Sequence, residues 1–189
     1  MIRLQPAADD RRFEQILALQ ARYHASALPA EAQTREGFVY ARHSLPLLRR
    51  MAAQLPQAVA LDGEALAGYC LALPLALSGE LPALAPMFEQ LGRCRYRGRP
   101  LGERAFFLGG QVCVDRPWRG QGLIGRLYDC VARHAPPGFE LCVTEIALRN
   151  SLSLRAHLRI GFEELARYAG GGEEWSVVAR PLRVEALAP

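Results

Sequence analysis

The sequence predicts one domain of mixed α/β structure. Half of the 189 residues are apolar and 22% are charged, which is typical of a globular protein with a buried core. Strand-like and helix-like hydrophobic patterns alternate, and a strand, a helix and another strand follow one another within residues 106–147. We therefore expect residues 1–189 to form a single domain, with an insertion at about residues 74–103.

Apolar side chains recur at strand and helix spacings over the first half of the chain. The predicted elements are a strand at residues 2–4, a helix from residues 9–10 to about 23, a loop at 27–36, a helix at 38–53, and strands at 58–61 and 65–73. Pro46 interrupts the second helical pattern. Asp62-Gly63 separates two apolar runs, which is a strong hairpin signal.

The second half gives a clearer alternation of elements. They are a helix at residues 84–91 inside the insertion, a buried strand at 106–114, a helix at 120–133, a strand at 141–147, a helix at 151–160, and a hairpin of strands at 162–168 and 174–179. Pro136-Pro137-Gly138 and Gly161 end the last two helices. The insertion also carries Arg at alternate positions from 93 to 99, for which a solvated loop is the simplest interpretation.

Composition excludes several kinds of protein. The five cysteines form no CxxC pair, and the histidines have no ligand spacing, so we predict neither a disulfide framework nor a metal site. The most apolar stretch, residues 66–77, is too short to span a bilayer and contains Pro74, so no membrane segment is expected. All 23 basic residues are Arg, which coding bias explains without a nucleic-acid partner. We expect a cytoplasmic protein.

The most informative segment joins a strand that ends at Val114 to a helix that starts near Gly120. Free backbone N–H groups and the positive end of the helix dipole make such a turn a site for anions. Glycine allows a phosphate to approach the backbone closely, and Arg119 adds a positive charge.

The same glycines match a dinucleotide-binding pattern, GxGxxG, at Gly120, Gly122 and Gly125. In that fold, however, the first glycine follows its strand almost directly, whereas five residues intervene here. Only about 65 residues follow Gly125, too few for the remaining β-α-β repeats. The sequence therefore disfavours a dinucleotide fold.

Two motifs together resemble the GNAT superfamily of N-acetyltransferases. Val-x-x-x-x-Arg-Gly-x-Gly, residues 114–122, is similar to the acetyl-CoA signature of that family. Asn150, Ser153, His157 and Gly161-Phe162 resemble its second motif, Asn-x-x-Ala-x-x-x-Tyr-x-x-x-Gly-Phe. The resemblance covers about residues 58–180. The chain departs from it at Ile124, where Gly or Ala is usual, at His157, where Tyr is common, and in the long insertion.

The resemblance implies a GNAT-like fold, a mixed and mostly antiparallel sheet flanked by helices with a V-shaped cofactor groove. Acetyl-CoA would be the cosubstrate. The implied cofactor-binding residues are Val112, Cys113 and Val114 along the pantetheine arm, Arg119, Gly120, Gln121, Gly122, Leu123, Ile124 and Gly125 around the pyrophosphate, and Asn150 and Ser153 on the following helix.

Acetyl transfer to an amine also needs a base and an acid. We expect Glu145 to be the base, a role that resembles that of the Glu in ribosomal-protein alanine N-acetyltransferases. The alternative is a surface carboxylate or a salt-bridge partner. His157 is the candidate acid, because it shares a helix face with Asn150 and Ser153 and can titrate near neutral pH. The alternative is a packed or solvated helix histidine. The acceptor is a small-molecule or peptide amine, and a homodimer is left open. A non-catalytic acyl-CoA-binding module and a different acyl donor or acceptor also remain open.

Overall fold

A computed structural model describes residues 1–182, apart from the side chain of Ala83. Nine strands form one large sheet and one small hairpin. They are β1 (Ile2–Pro6), β2 (Ala58–Asp62), β3 (Ala65–Leu73), β4 (Arg95–Tyr96), β5 (Arg99–Pro100), β6 (Phe106–Val114), β7 (Leu141–Ala147), β8 (Glu163–Gly170) and β9 (Glu173–Pro181). Seven strands build the large sheet in the order β1-β2-β3-β6-β7-β9-β8, while β4 and β5 pair separately.

Within residues 1–182, six α-helices accompany the strands. They are α1 (Asp10–Tyr23), α2 (Ala30–Glu36), α3 (Leu45–Ala52), α4 (Ala85–Leu91), α5 (Leu123–His134) and α6 (Ser151–Arg159). None of the helices within residues 1–182 combines the length and apolar character needed to cross a bilayer. The last residues of the predicted domain, 183–189, lie outside the described part of the chain.

Helices cover both faces of the sheet. One core cluster joins side chains of α1, α3 and α4 to one face, which we call the α1 face. A second cluster joins α5 to the opposite face, the α5 face, where α6 also contributes. Successive side chains of a strand point to opposite faces, so the inner strands β2, β3, β6, β7 and β9 supply both clusters. This mixed, mostly antiparallel sheet between helices confirms the predicted fold class.

The sheet divides at its centre. Every neighbouring pair of strands is antiparallel except β6 and β7, which are parallel and joined through α5. Their pairing covers only Phe106 to Leu108 on β6. The opposite edge of β6 stays paired with β3 from Leu108 to Val114. Beyond Leu108 the two central strands therefore diverge and leave a V-shaped gap.

The loop predicted at residues 27–36 is wrong, because α2 occupies residues 30–36. Its sequence, Ala-Glu-Ala-Gln-Thr-Arg-Glu, consists of helix-favouring residues but buries none of them, so it lacks the apolar stripe that reveals a helix. The hairpin β4–β5 was not predicted either.

The single helix predicted at residues 38–53 is also wrong. Residues 38–44 are not helical, and α3 begins after Ser44, whose hydroxyl accepts a hydrogen bond from Leu47 N. Pro46 therefore lies in the first turn of α3, where a helix needs no N–H at that position. Buried apolar residues at positions 38, 39 and 41 happen to have the spacing of a helix, although this segment is not helical.

Replacing Pro46 by Ala tests this interpretation. A proline in the first turn stabilises the native state slightly, so we expect Pro46→Ala to lower the free energy of unfolding by less than about 1 kcal/mol. Urea denaturation would measure the change, with Ser44→Ala as a reference that removes the cap and costs about 1 kcal/mol. A gain of about 3 kcal/mol from Pro46→Ala would instead show that the proline breaks a longer helix.

Candidate active site

The gap between β6 and β7 opens into a groove of about 700 Å³, part of which is open to solvent. Its lining combines β6 and β7 with residues from both sides of the sheet. Gly109 to Val112 come from β6, residues 144–147 from β7, and Asn150, Ser153 and His157 from the beginning and body of α6. The structure therefore brings Glu145, His157, Asn150 and Ser153 of the predicted site together around one groove.

The backbone of β6 presents polar groups to this gap. Asp115 N donates to Ala67 O on the β3 side, and alternate residues of an antiparallel strand bond to the same neighbour. The amides of Val112 and Val114 consequently point to the opposite edge, toward the gap, whereas the amide of Cys113 faces β3. The three residues predicted along a pantetheine arm thus divide into two that face the gap and one that does not.

The predicted anion-binding turn follows directly after β6. Gly120 and Gly122 have φ angles of +77° and +68°, a region that favours glycine. Helix α5 starts after Gly122 with no side-chain cap on its first N–H groups. Space is open around the place where a Cβ would lie on either glycine, with no described heavy atom within 4 Å. The turn therefore offers exposed amides to an anion.

The other residues of the turn have separate roles. Arg119 donates through Nε to Val114 O at 2.9 Å and through Nη1 to Glu36 O at 2.8 Å, so its guanidinium ties β6 to α2. Gln121 is exposed and Leu123 is buried in the core. The Ile124 side chain packs against the core cluster of the α5 face, and Gly125 lies against Ile160. Of these two residues, only the backbone amides could therefore contact a pyrophosphate as predicted.

Glu145 lies on the α1 face of β7, at the edge of the groove. The Tyr168 hydroxyl donates a hydrogen bond to its Oε2 atom. Burial raises the pKa of Glu145 to about 7, and the hydrogen bond from Tyr168 partly opposes that rise. A carboxyl group with this pKa can accept a proton near neutral pH, as a general base must.

His157 is 2% exposed and lies on the opposite face of the sheet. Its Nδ1 atom is 2.8 Å from Ser153 O, and a carbonyl oxygen can only accept, so Nδ1 carries the proton. Its Nε2 atom is 3.0 Å from the Tyr128 hydroxyl and accepts from it. Burial lowers the pKa of His157 to about 4, so the ring is neutral at pH 7. Its single N–H is therefore committed to the backbone.

Tyr128 was not predicted as a site residue. It lines the groove from α5, and its ring lies where β6 and β7 part. A Cβ on Gly109 would lie 3.0–3.1 Å from the Tyr128 ring and hydroxyl. Burial raises the pKa of the hydroxyl well above its usual value, so it keeps its proton. The sequence places Tyr128 on the apolar stripe of α5, and a buried tyrosine hydroxyl needs a hydrogen-bond partner, so this position could have marked it as a candidate site residue.

Asn150 and Ser153 line the same end of the groove. Asn150 Nδ2 donates to Phe38 O at 2.8 Å, which ties the start of α6 to the segment after α2. Its Oδ1 atom is buried and has no hydrogen-bond partner within residues 1–182. Ser153 supplies the carbonyl that fixes His157. The predicted contact of these two residues with a cofactor stays a prediction.

The cysteines near the groove are buried thiols. Burial raises the pKa of both Cys113 and Cys142 to about 12. A thiol with such a pKa is protonated at neutral pH and is a poor nucleophile. The geometry therefore favours chemistry that does not pass through an acylated cysteine.

Solved structures with the same fold include N-acetyltransferases. The ribosomal-protein-S18-alanine N-acetyltransferase of Escherichia coli superposes with a TM-score of 0.59 at 13% identity, over 100% of both chains. NAA60 of Arabidopsis thaliana, solved with acetyl-CoA, gives 0.60 at 15% identity, over 96% of this chain and 99% of its own. A Desulfovibrio desulfuricans protein described as a GNAT-family acetyltransferase gives 0.63 at 13% identity, over 97% and 100%.

These likenesses confirm the GNAT fold that the two motifs predicted. No family model matches the sequence, and no curated protein matches it.

The fit of Tyr128 against Gly109 can be tested by adding one methyl group. In Gly109→Ala the new Cβ would meet the Tyr128 ring and Cys142 Sγ at about 3 Å, so these side chains must shift. We expect a loss of about 1–3 kcal/mol in the free energy of unfolding, measured in urea. Gly102→Ala is the matched control, because its Cβ meets no described atom within 4 Å. Equal stability of the two variants would contradict the described packing.

Proposed function

We propose that this protein is an acetyl-CoA-dependent N-acetyltransferase, which moves the acetyl group to a primary amine by direct attack. The observation that carries the proposal is the gap between β6 and β7, where the free backbone edge of β6 lies between a carboxyl group of raised pKa and a buried hydroxyl. The structural neighbours support it, since NAA60 was solved in complex with acetyl-CoA.

The residues present fit acetyl-CoA at two places. The open amides at Gly120–Gly122 and the uncapped start of α5 suit its pyrophosphate. Arg119 precedes this turn and fixes it to β6 and α2 through Val114 O and Glu36 O. The amide of Val114 can pair with its pantetheine arm as an added strand would, which leaves the Val112 amide for the acetyl end. When bound, acetyl-CoA supplies an acetyl group activated as a thioester. Asn150 and Ser153 lie beside the same gap.

Glu145 serves as the base in this proposal. An alkylamine has a pKa of about 10 and arrives as an ammonium ion, which has no lone pair for attack. The carboxylate of Glu145 takes that proton, directly or through water, and the freed nitrogen attacks the acetyl carbonyl carbon. The Val112 N–H, directed into the gap, donates to the carbonyl oxygen as negative charge develops there.

Tyr128 provides the proton for the departing sulfur as the carbon–sulfur bond breaks. The nitrogen gives up its second proton once the new carbon–nitrogen bond has formed, and that proton returns through water to the Tyr128 hydroxyl. The Tyr128 hydroxyl donates its proton to His157 Nε2, from which the proton can be redirected to the sulfur. The N–H of His157, in contrast, is bonded to the backbone carbonyl of Ser153. His157 thus acts as a positioning residue that holds the hydroxyl, and Ser153 holds His157. This assignment replaces direct acid catalysis by His157, which a neutral ring with its proton bound elsewhere does not favour.

Removal of the base tests the first half of the mechanism. We expect Glu145→Gln to lower kcat/KM about a hundredfold or more at pH 8, since a general base contributes about 10²–10⁴-fold. In the unaltered protein kcat/KM should rise as pH increases through about 7, because the carboxylate form becomes populated there. The variant should lose this rise. Release of free thiol from acetyl-CoA with an amine present would report both.

Tyr168→Phe is the matched control for that pH profile. The Tyr168 hydrogen bond lowers the pKa of Glu145, so its removal should move the rise in kcat/KM to higher pH without abolishing activity. An unchanged profile in both variants would exclude Glu145 as the base.

The proton donor can be identified by comparing two variants. Tyr128→Phe should lower kcat by about 10²-fold with little change in KM, because the donor acts on the leaving sulfur and not on binding. His157→Phe should have a smaller effect, since the hydroxyl remains but loses its partner. Steady-state kinetics would measure both, and a larger loss in His157→Phe than in Tyr128→Phe would return the acid role to His157.

A further inference from the structure

The half of the groove on the α1 face has an apolar and aromatic lining. Its larger apolar side chains include Phe38, Tyr40, Leu84, Met87 and Trp175. Leu84 and Met87 belong to the insertion, which thereby forms part of the site. Among the groove-lining residues within 1–182, Glu145 is the single acidic side chain and none is Arg. His157 also lines the groove, but its ring is neutral at pH 7.

Contacts between elements support the aromatic lining of this half of the groove. The rings of Tyr40 and Trp175 meet edge to face with centroids 4.9 Å apart. Trp175 Nε1 donates to Gly170 O at 3.0 Å, and Pro86 packs so closely on Gly170 that an added Cβ would lie 3.0 Å from Pro86 Cβ. These contacts therefore link the segment after α2, the β8–β9 hairpin and α4 beside this half of the groove.

The side chains of Arg95 and Arg97 in the insertion lie on the outer surface of the protein. Arg97 pairs with Glu163 at 2.6 Å, and Arg95 donates to Gly98 O within the β4–β5 hairpin. Neither lines the groove. A carboxylate or phosphate on the acceptor would therefore enter the groove without a cation to replace its water, at a considerable cost in free energy.

We propose that the acceptor is a small primary amine carried on one uncharged, apolar or aromatic arm. Its ammonium group lies between the aromatic faces of Tyr40 and Trp175, which attract cations, and Glu145, which removes the proton. Its arm packs on Leu84 and Met87. This inference rests on the proposed function, because it takes Glu145 as the group that faces the amine.

Matched amines separate the chemistry of the arm from the reaction. Phenethylamine would be compared with phenylalanine and with a hexapeptide that begins with Phe, and hexylamine with aminohexanoate and hexanediamine. Calorimetry with and without coenzyme A gives binding, and thiol release from acetyl-CoA gives turnover. We expect the two apolar amines to exceed their charged or peptide counterparts by about tenfold or more in affinity and in kcat/KM.

The outcomes distinguish this inference from the function on which it rests. Preferential binding of the apolar amines without turnover would refute acetyl transfer while it upholds the acceptor class. Turnover without preference, an advantage for a charged or peptide amine, or no amine binding at all would overturn the acceptor class.

Variants of the lining give a second test. Met87→Ala should lengthen the pocket and raise the preference for decylamine over hexylamine about tenfold. Because Met87 is buried and its loss can destabilise the fold, Tyr40→Ala, at a half-buried position, provides an independent variant that should weaken phenethylamine binding about tenfold. Leu75→Ala, at a 43% exposed position of the same insertion, is the control and should change neither. Identical selectivity in all three variants would refute the assignment.

Discussion

The ring of Tyr128 occupies the place where β6 and β7 part, and the shape of the groove depends on this wedge. Gly109 makes room for it on β6, and His157 and Phe162 pack on its ring with centroids 5.6 and 5.0 Å away. Parallel strands gain one ladder bond after another as long as they stay adjacent. With the wedge in place the pairing of β6 with β7 ends at Leu108, and the edge of β6 beyond it is left without a strand partner among the described residues.

The divided sheet also explains why the candidate base and proton donor can work on one reacting centre. Glu145 belongs to the α1 face and Tyr128 to the α5 face, so an intact sheet would separate them. The gap removes that barrier and places the free amide of Val112 between the two. Burial acts on both groups, since it raises the pKa of Glu145 to about 7 and keeps the Tyr128 hydroxyl protonated. One feature of the backbone thus brings the two candidate groups to one groove.

The alternation of strand and helix patterns predicted mixed α/β structure, and the resemblance of two motifs to the GNAT superfamily implied the groove. The glycines after Val114 and the Asn150-to-Phe162 motif mark features of the backbone that few sequences share. Helix α2 escaped prediction because it buries none of its side chains, and Pro46 misled because a first-turn proline resembles a helix breaker. The partnership of Tyr128 with His157 was missed for another reason. It joins residues 29 positions apart, and neither residue alone reveals that the histidine proton is bound to a backbone carbonyl.

A crystal structure of the protein with acetyl-CoA would test the central claim most directly. We expect the amides of the pantetheine arm to bond to the backbone of Val112 or Val114 in the gap, and the pyrophosphate to lie against the N–H groups that follow Gly120. The thioester would then reach the level of Tyr128 and Glu145. A complex in which β7 pairs with β6 along its whole length, or in which the ligand lies away from this edge, would contradict the account.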